Sequence, residues 1–125
     1  MTGVLLVQPN ESLRRLYADQ LSADGFPTEE VSFKCDAMGA ARRQRPAVVV
    51  VDATLDPGEA AAFIRALRKD LDLAAVPVVG IAYLPGCVTP VLDAGATCCL
   101  RHLPSPDALV KAVRWATSVY HCDAA

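Results

Sequence analysis

The chain has 125 residues and a mass of 13.2 kDa, so residues 1–125 suffice for one domain with its own core and leave no room for a second. With 53% hydrophobic residues, the composition is typical of a compact globular protein and excludes a disordered one. The net charge of −2 gives no field that attracts nucleic acid or an anionic membrane, so neither is expected as a partner. Neither a signal peptide nor the ~18 apolar residues of a membrane span is present, which predicts a cytoplasmic protein.

The first predicted elements are a strand over residues 4–7 and a helix over residues 12–23. The strand is an unbroken apolar run that is too short for a helix. The helix has apolar residues at helical spacing and ends before Gly25. The apolar stripe of this helix consists of Leu13, Leu16, Tyr17 and Leu21.

The middle of the chain repeats this strand and helix alternation. A weak second strand is predicted over residues 28–31, and a helix over residues 35–44 stops before Pro46. The valine run 48–51 predicts a third strand, and a third helix over residues 57–70 has a proline in its first turn.

The last third predicts two more strands and a helix with a clear start. Residues 76–81 and 96–100 are the strands, and only residues 90–94 between them are expected to be helical. Ser105 and Pro106 open the last helix with an N-cap hydroxyl and a first-turn proline. The buried stripe of this helix is predicted to be Leu109, Ala112, Val113, Ala116 and Val119 or Tyr120.

Five alternations of strand and helix predict an α/β fold, a doubly wound five-stranded parallel sheet with helices on both faces. Unbroken apolar strands support a parallel sheet, because its crossover helices cover both faces. In such sheets ligands bind at the carboxyl ends of the strands. These ends are Gln8 and Pro9, Asp52, Ala82 and His102.

The five cysteines are an odd number without regular spacing, and we interpret them as small buried side chains. Two sharper interpretations are a redox pair at Cys98 and Cys99, and a metal site that adds His102. Both are disfavoured, because adjacent residues on a strand point to opposite faces. The remaining cysteines are Cys35, Cys87 and Cys122.

The segments VLLVQPNESLRRL, VVVVDATLDP, VPVVGIAYL and GATCCLRHLPSPDAL resemble the receiver domains of two-component response regulators, over nearly the whole chain. The resemblance implies the flavodoxin-like receiver fold, here with a shortened fourth helix. Family members carry an acidic pair after the first strand, a phosphoacceptor aspartate after the third, a hydroxyl residue after the fourth and a lysine after the fifth. In this chain the resemblance puts these positions on Gln8 and Pro9, Asp52, Ala82 and His102, and the family's aromatic switch residue on Cys99.

Only Asp52 keeps the residue type that the family uses. Phosphoryl transfer needs a divalent metal, and magnesium prefers anionic oxygen ligands, which Gln8 and Pro9 do not supply. We therefore expect weak or absent magnesium binding and no metal site. Asn10 and Glu11 lie where the helix begins and are expected to point away.

The readout of a phosphorylated Asp52 is also missing. Ala82 has no hydroxyl and Cys99 has no ring, so no contact would sense the phosphate. Asp52 is then a vestigial or alternative phosphoacceptor, or simply a turn residue at a strand end. A protonated His102 would pair with Asp52 as the family's lysine does, or it only ends the strand beside a proline turn.

These observations predict an atypical receiver, or pseudo-receiver, that is not an enzyme and acts by protein contact without aspartyl phosphorylation. The alternative is a phosphorylatable receiver that uses Asp52 with altered metal ligands. A flavodoxin-like enzyme or ligand binder is disfavoured, because no glycine-rich phosphate loop or nucleophile–base pair appears. The expected partner is an effector, a kinase-like protein or a second copy. The interaction surface is predicted beside the proline-containing segment 84–90 and on the last helix, at Val88, Val110, Arg114 and Thr117.

Overall fold

The protein is described from a computed structural model, which describes residues 3–32 and 36–124, with side chains up to residue 118 in the last helix. Five strands alternate with five helices. In chain order these are β1 (Val4–Val7), α1 (Glu11–Ala23), β2 (Thr28–Val31), α2 (Ala37–Gln44), β3 (Val48–Asp52), α3 (Pro57–Lys69), β4 (Val78–Ile81), α4 (Val88–Ala94), β5 (Cys98–Leu100) and α5 (Pro106–Ala124).

All neighbouring strands pair in parallel, in the order β2-β1-β3-β4-β5. The sheet separates two apolar cores. One lies under α2, α3 and α4, and the other lies under α1 and α5. The predicted doubly wound parallel sheet is confirmed, and β1 and β3 are buried on both faces as their unbroken apolar sequences require.

Helix α1 begins one residue before the predicted start, because the Asn10 side chain accepts a hydrogen bond from the Leu13 backbone N–H. The predicted apolar stripe is wrong at Leu16, which is 50% exposed. The buried side of α1 is narrower, since it fits between the sheet and α5. Its buried residues are Tyr17, Ala18 and Leu21.

The other helices confirm their predicted elements with small shifts at the ends. Helix α2 ends at Gln44, and the C-cap residue Arg45 has a φ of 50°, which turns the chain before Pro46. Helix α4 is short, seven residues, although it begins two residues before the predicted start, and it ends at Gly95 with a φ of 114°. The Ser105 hydroxyl accepts from the Ala108 N–H at the start of α5, as predicted. Four residues named above lie outside the described side chains: Cys35, Val119, Tyr120 and Cys122.

In the described part of the chain, none of the helices combines the length and the apolar character needed to cross a membrane.

Candidate functional site

The strand ends bring three of the predicted site residues together at the carboxyl edge of the sheet. Val7 pairs with Val51, so Gln8 lies beside Asp52 on the adjacent strand. Ala82 follows β4, and its N–H donates to the Leu100 carbonyl. Gln8, Asp52 and Ala82 are 1%, 3% and 1% exposed, so this pocket is closed to solvent.

Gln8 and Asp52 are joined directly by a buried hydrogen bond. The Gln8 Nε2 donates to the Asp52 Oδ2 over 2.6 Å. The orientation of the amide is fixed, because its Oε1 accepts from the Asn10 N–H at 3.0 Å. A hydrogen bond to a charged acceptor is stronger than one between neutral groups. The sequence analysis treated Gln8 only as a poor metal ligand and missed this contact, which depends on the register of β1 against β3.

The second carboxylate oxygen of Asp52 is also engaged. The Asp52 Oδ1 accepts from the Thr54 N–H at 2.9 Å, in a turn that closes the end of β3. Both oxygens of the carboxylate therefore have partners within the protein. This geometry supports the interpretation of Asp52 as a turn residue.

Thr54 connects two loops at this edge. Its Oγ1 accepts from the Tyr83 N–H at 3.4 Å, and its carbonyl oxygen accepts from the Cys87 thiol at 3.6 Å. The connection after β3 is thus held against the connection after β4. The sequence did not predict this role of Thr54, because a threonine in a loop is common and its partners lie about 30 positions away in the chain.

Tyr17 reaches the same edge from α1. Its hydroxyl donates to the Pro104 carbonyl at 2.8 Å and so fixes the connection between β5 and α5. Burial, together with the negative charge of Asp52, raises the pKa of Tyr17 to about 12. The ring was predicted as a core residue, but its hydroxyl contact was not.

Arg14 closes the pocket on the side of α1. Its Nη1 donates to the Gln8 carbonyl at 2.9 Å, while its Nε lies 3.6 Å from a carboxylate oxygen of Glu30. The guanidinium therefore holds the backbone of Gln8, whose side chain holds Asp52. The Asn10 side chain caps α1, and Glu11 is exposed in the first turn of that helix.

Two predicted site residues do not take part in the pocket. His102 is exposed, and within the described residues no hydrogen bond or ion pair joins it to Asp52. The pairing suggested for a protonated His102 is therefore not formed. Pro9 is half-buried and has no side-chain oxygen.

The cysteines of β5 lie on opposite sides of the sheet. Cys98 packs against the core under α1 and α5, and Cys99 packs against the core under α3 and α4. Burial raises the pKa of both thiols. Cys87, Cys98 and Cys99 are free, and among residues 3–32 and 36–124 no cluster of metal-ligating side chains includes them. The interpretation as small buried side chains is confirmed for Cys87, whereas Cys98 and Cys99 are only partly buried.

The predicted interaction residues do not form one surface. Val110 is 4% exposed and is therefore wrong as a contact residue, because it faces the core. Arg114 lies over the Phe26 ring at 5.6 Å, on the side of α5 that faces α1. The Thr117 hydroxyl bonds back to the Val113 and Arg114 carbonyls of its own helix. Val88 is half-buried at the start of α4, on the other face of the sheet.

The donor set of the pocket does not suit magnesium. Mg²⁺ requires near-octahedral coordination by hard oxygen ligands, usually carboxylates. The pocket offers the carboxylate of Asp52, and the neighbouring Gln8 presents its amide nitrogen while its oxygen is engaged with Asn10. Phosphoryl transfer to a carboxylate requires positive charge directed at the reacting oxygens. The nearby cation, Arg14, is directed instead at the Gln8 carbonyl and at Glu30, so the arrangement holds the Asp52 carboxylate in place.

Comparison with curated proteins finds response regulators. The chain is 32% identical over 79 residues to the KDP operon transcriptional regulatory protein KdpE of Escherichia coli, and 27% identical over 79 residues to the polar-differentiation response regulator DivK of Brucella anthropi. Each match includes 63% of this chain, and the matches span 34% and 64% of the length of the two relatives. No family model matches the sequence.

Comparison with solved structures finds the same fold. The chemotaxis response regulator CheY4 of Vibrio cholerae matches with a TM-score of 0.82 and 22% identity, over 93% of this chain and 98% of that one. An atypical orphan response regulator, described as having a phosphorylation-independent regulatory mechanism, matches with a TM-score of 0.77 and 18% identity, over 93% of this chain and 95% of that one. These likenesses confirm the flavodoxin-like receiver fold that the sequence predicts.

Proposed function

We propose that this chain, whose homologues and structural neighbours are response-regulator receiver domains, is an atypical receiver that signals through protein contacts without aspartyl phosphorylation. The observation that carries the proposal is the buried hydrogen bond from the Gln8 amide to the Asp52 carboxylate. It supports a pocket in which the carboxylate is a structural acceptor rather than a nucleophile.

A phosphoacceptor carboxylate must present a free oxygen to an incoming phosphoryl group in line with the leaving group. In this chain one oxygen of Asp52 accepts from Gln8 and the other from the Thr54 backbone. Freeing either oxygen costs a hydrogen bond to a charged group, about 1.5–3 kcal/mol. The 3% exposure of Asp52 adds a barrier to approach by a donor.

The positions at which the family carries its phosphate-sensing groups also do not supply them in this chain. Ala82 has no hydroxyl to donate, and His102 is exposed rather than directed at Asp52. A ligand shifts a conformational equilibrium only through contacts that differ between the two states. Without such contacts, a phosphate on Asp52 would not change the surface that a partner meets.

The proposed module catalyses no reaction and needs no magnesium, and its output is a fixed surface that another protein binds. Its loops support this role, because Thr54 ties the connections after β3 and β4 to each other, and Tyr17 ties the connection after β5 to α1. The atypical orphan regulator of the same fold provides a precedent for regulation without phosphorylation.

Phosphorylation by a small phosphodonor tests the proposal. The protein is incubated with acetyl phosphate and magnesium, and its intact mass is measured. We expect no phosphoryl adduct on the wild-type chain. The matched positive control is a chain with Gln8→Asp, Pro9→Asp, Ala82→Thr and His102→Lys, which restores the residues that the family uses and should accept a phosphoryl group at Asp52.

The contrary result is a wild-type adduct that disappears in Asp52→Asn. This result would refute the proposal and support the alternative, a phosphorylatable receiver that uses Asp52 with altered metal ligands.

A further inference from the structure

Three exposed leucines stand in register along the carboxyl edge of the sheet. Asp52, Ile81 and Leu100 pair with one another in one row across β3, β4 and β5. Each of these residues is followed, three positions later, by a leucine that faces solvent. The leucines are Leu55, Leu84 and Leu103, with exposures of 72%, 49% and 48%.

The register places the strand ends that precede these leucines close to one another. Neighbouring strands lie about 4.8 Å apart, so the ends of β3 and β5 are separated by roughly 10 Å. The connections after β3 and β4 are also bonded through Thr54, and the connection after β5 is fixed by Tyr17. The three leucines therefore lie on fixed loops at the same edge of the sheet, and we call these three exposed residues the leucine edge.

The leucine edge has opposite charges at its two ends. Arg101 and His102 are exposed beside Leu103, at the end of β5. Asp56 and Glu59 are exposed beside Leu55, at the start of α3. Within the described residues Arg101, Asp56 and Glu59 belong to none of the ion pairs, although seven other pairs are formed. The connection after β4, in the middle, carries no charged side chain.

We propose that the leucine edge binds the leucine edge of a second copy of this chain across a twofold axis, so that Leu84 lies at the axis and the basic end of each copy faces the acidic end of the other. The inference rests on the proposed function, because it names the partner and the surface of that fixed receiver.

The charge pattern favours a second copy over another protein. A twofold interface brings the same patch of both subunits together, so a contact from one residue to another occurs twice. A patch that is basic at one end, apolar in the middle and acidic at the other is complementary to itself in this arrangement. A row of three leucines is small, which places the dimer among interfaces below ~1,200 Å² and predicts a weak, concentration-dependent equilibrium.

Sedimentation velocity of the full chain from micromolar to millimolar concentration tests the inference. We expect a monomer–dimer equilibrium in the wild type, and a dissociation constant raised by roughly tenfold or more in Leu84→Glu and in Leu103→Glu. The matched control is Leu71→Glu, because Leu71 is 98% exposed in the connection between α3 and β4, at the opposite edge of the sheet. The control should dimerise like the wild type.

A charge exchange tests the orientation of the two copies. Arg101→Glu and Glu59→Lys should each weaken the homodimer, since each variant places like charges opposite one another. An equimolar mixture of the two variants should dimerise again, because each new charge then meets an opposite one. Circular dichroism melts check that all of these variants remain folded. We expect them to fold, because every substituted residue is exposed.

A wild-type chain that stays monomeric at every concentration would overturn the inference, as would a dimer that Leu84→Glu and Leu103→Glu leave unchanged. These outcomes leave the proposed function intact, since that is decided by the mass of the chain after treatment with acetyl phosphate. A phosphoryl adduct would refute the proposed function whatever the oligomeric state.

Discussion

The molecule holds two partly or fully buried charges in different ways, one at Arg68 and one at Asp52. Arg68, near the end of α3, donates to backbone carbonyl groups of three residues: Ala74, Val76 and Gly95. Asp52, at the end of β3, accepts from the side-chain amide of Gln8 and the backbone of Thr54. In neither case is an opposite charge the partner of these hydrogen bonds.

The difference lies in what each charge connects. The guanidinium of Arg68 donates four hydrogen bonds to segments that follow α3 and α4, so it joins parts of the chain that are separate in sequence. The carboxylate of Asp52 joins only the ends of β1 and β3 and its own turn. Arg68 is therefore expected to contribute more to the free energy of unfolding. Asp52 is expected mainly to fix the conformation of the strand ends at the carboxyl edge of the sheet.

Replacing Arg68 is expected to give the largest effect. Arg68→Ala removes hydrogen bonds of 2.6–3.1 Å to three carbonyl groups and should lower the free energy of unfolding by about 3 kcal/mol. Arg68→Lys should recover only part of the loss, because an ammonium group lacks the planar fork of a guanidinium. Urea denaturation measures both values.

Arg65→Ala is the matched control for this experiment, since Arg65 is exposed on the same helix. It should change the free energy of unfolding by no more than ~0.5 kcal/mol. Equal losses in Arg65→Ala and Arg68→Ala would mean that the carbonyl contacts of Arg68 add nothing.

Replacing Gln8 is expected to give a smaller but still clear effect. Gln8→Leu keeps a similar volume and leaves a buried carboxylate oxygen of Asp52 without its side-chain donor, so we expect a loss of about 2 kcal/mol. Urea melts of the wild type and Gln8→Leu at neutral pH measure this loss in the free energy of unfolding.

A double-mutant cycle assigns this loss to the pair. Asp52→Asn alone should lower the free energy of unfolding by about 1 kcal/mol. The new side chain is neutral, so it accepts the Gln8 amide hydrogen less strongly than the carboxylate does. The double variant should be more stable than the sum of the single losses predicts, since the second change removes the carboxylate that the first leaves unsatisfied. Additivity within ~0.5 kcal/mol would show that the two side chains are not coupled.

The sequence predicts the sheet because its strands are unbroken apolar runs, such as residues 48–51, that only a sheet covered on both faces can bury. The signals for helix starts are equally local: Pro57 lies in the first turn of α3, and Ser105 starts α5. Such signals depend on residues that are neighbours in the chain, so they are readable without the fold.

The contacts of the site were not readable in this way. The Gln8–Asp52 bond spans 44 positions and depends on strand register, and the Tyr17–Pro104 bond spans 87 positions. Val110 was predicted to lie on the surface but is buried. The residues around it in the sequence do not determine how α5 is rotated against the sheet, and that rotation decides which side chains are buried. The resemblance located the pocket residues, but their partners required the three-dimensional arrangement.

Replacing Tyr17 is expected to give the smallest effect at neutral pH and a distinct dependence on pH. Tyr17→Phe removes the hydroxyl bond to Pro104 and should cost about 1 kcal/mol at pH 7. In the wild type the pKa of Tyr17 is raised from 10.0 to about 12 by burial and by the charge of Asp52. The folded state therefore keeps its proton in a pH range where the unfolded state has lost it, and stability falls as pH rises.

The stabilisation that Tyr17 contributes is complete below about pH 10 and is lost as pH rises from about 10 to about 12. The difference in free energy of unfolding between wild type and Tyr17→Phe should thus shrink over this interval, while other titrating groups cancel in the comparison. Urea melts of both chains at pH 7, 10 and 11.5 measure it. A difference that stays constant with pH would mean that the hydroxyl titrates alike in both states, and that Asp52 and burial do not act on it.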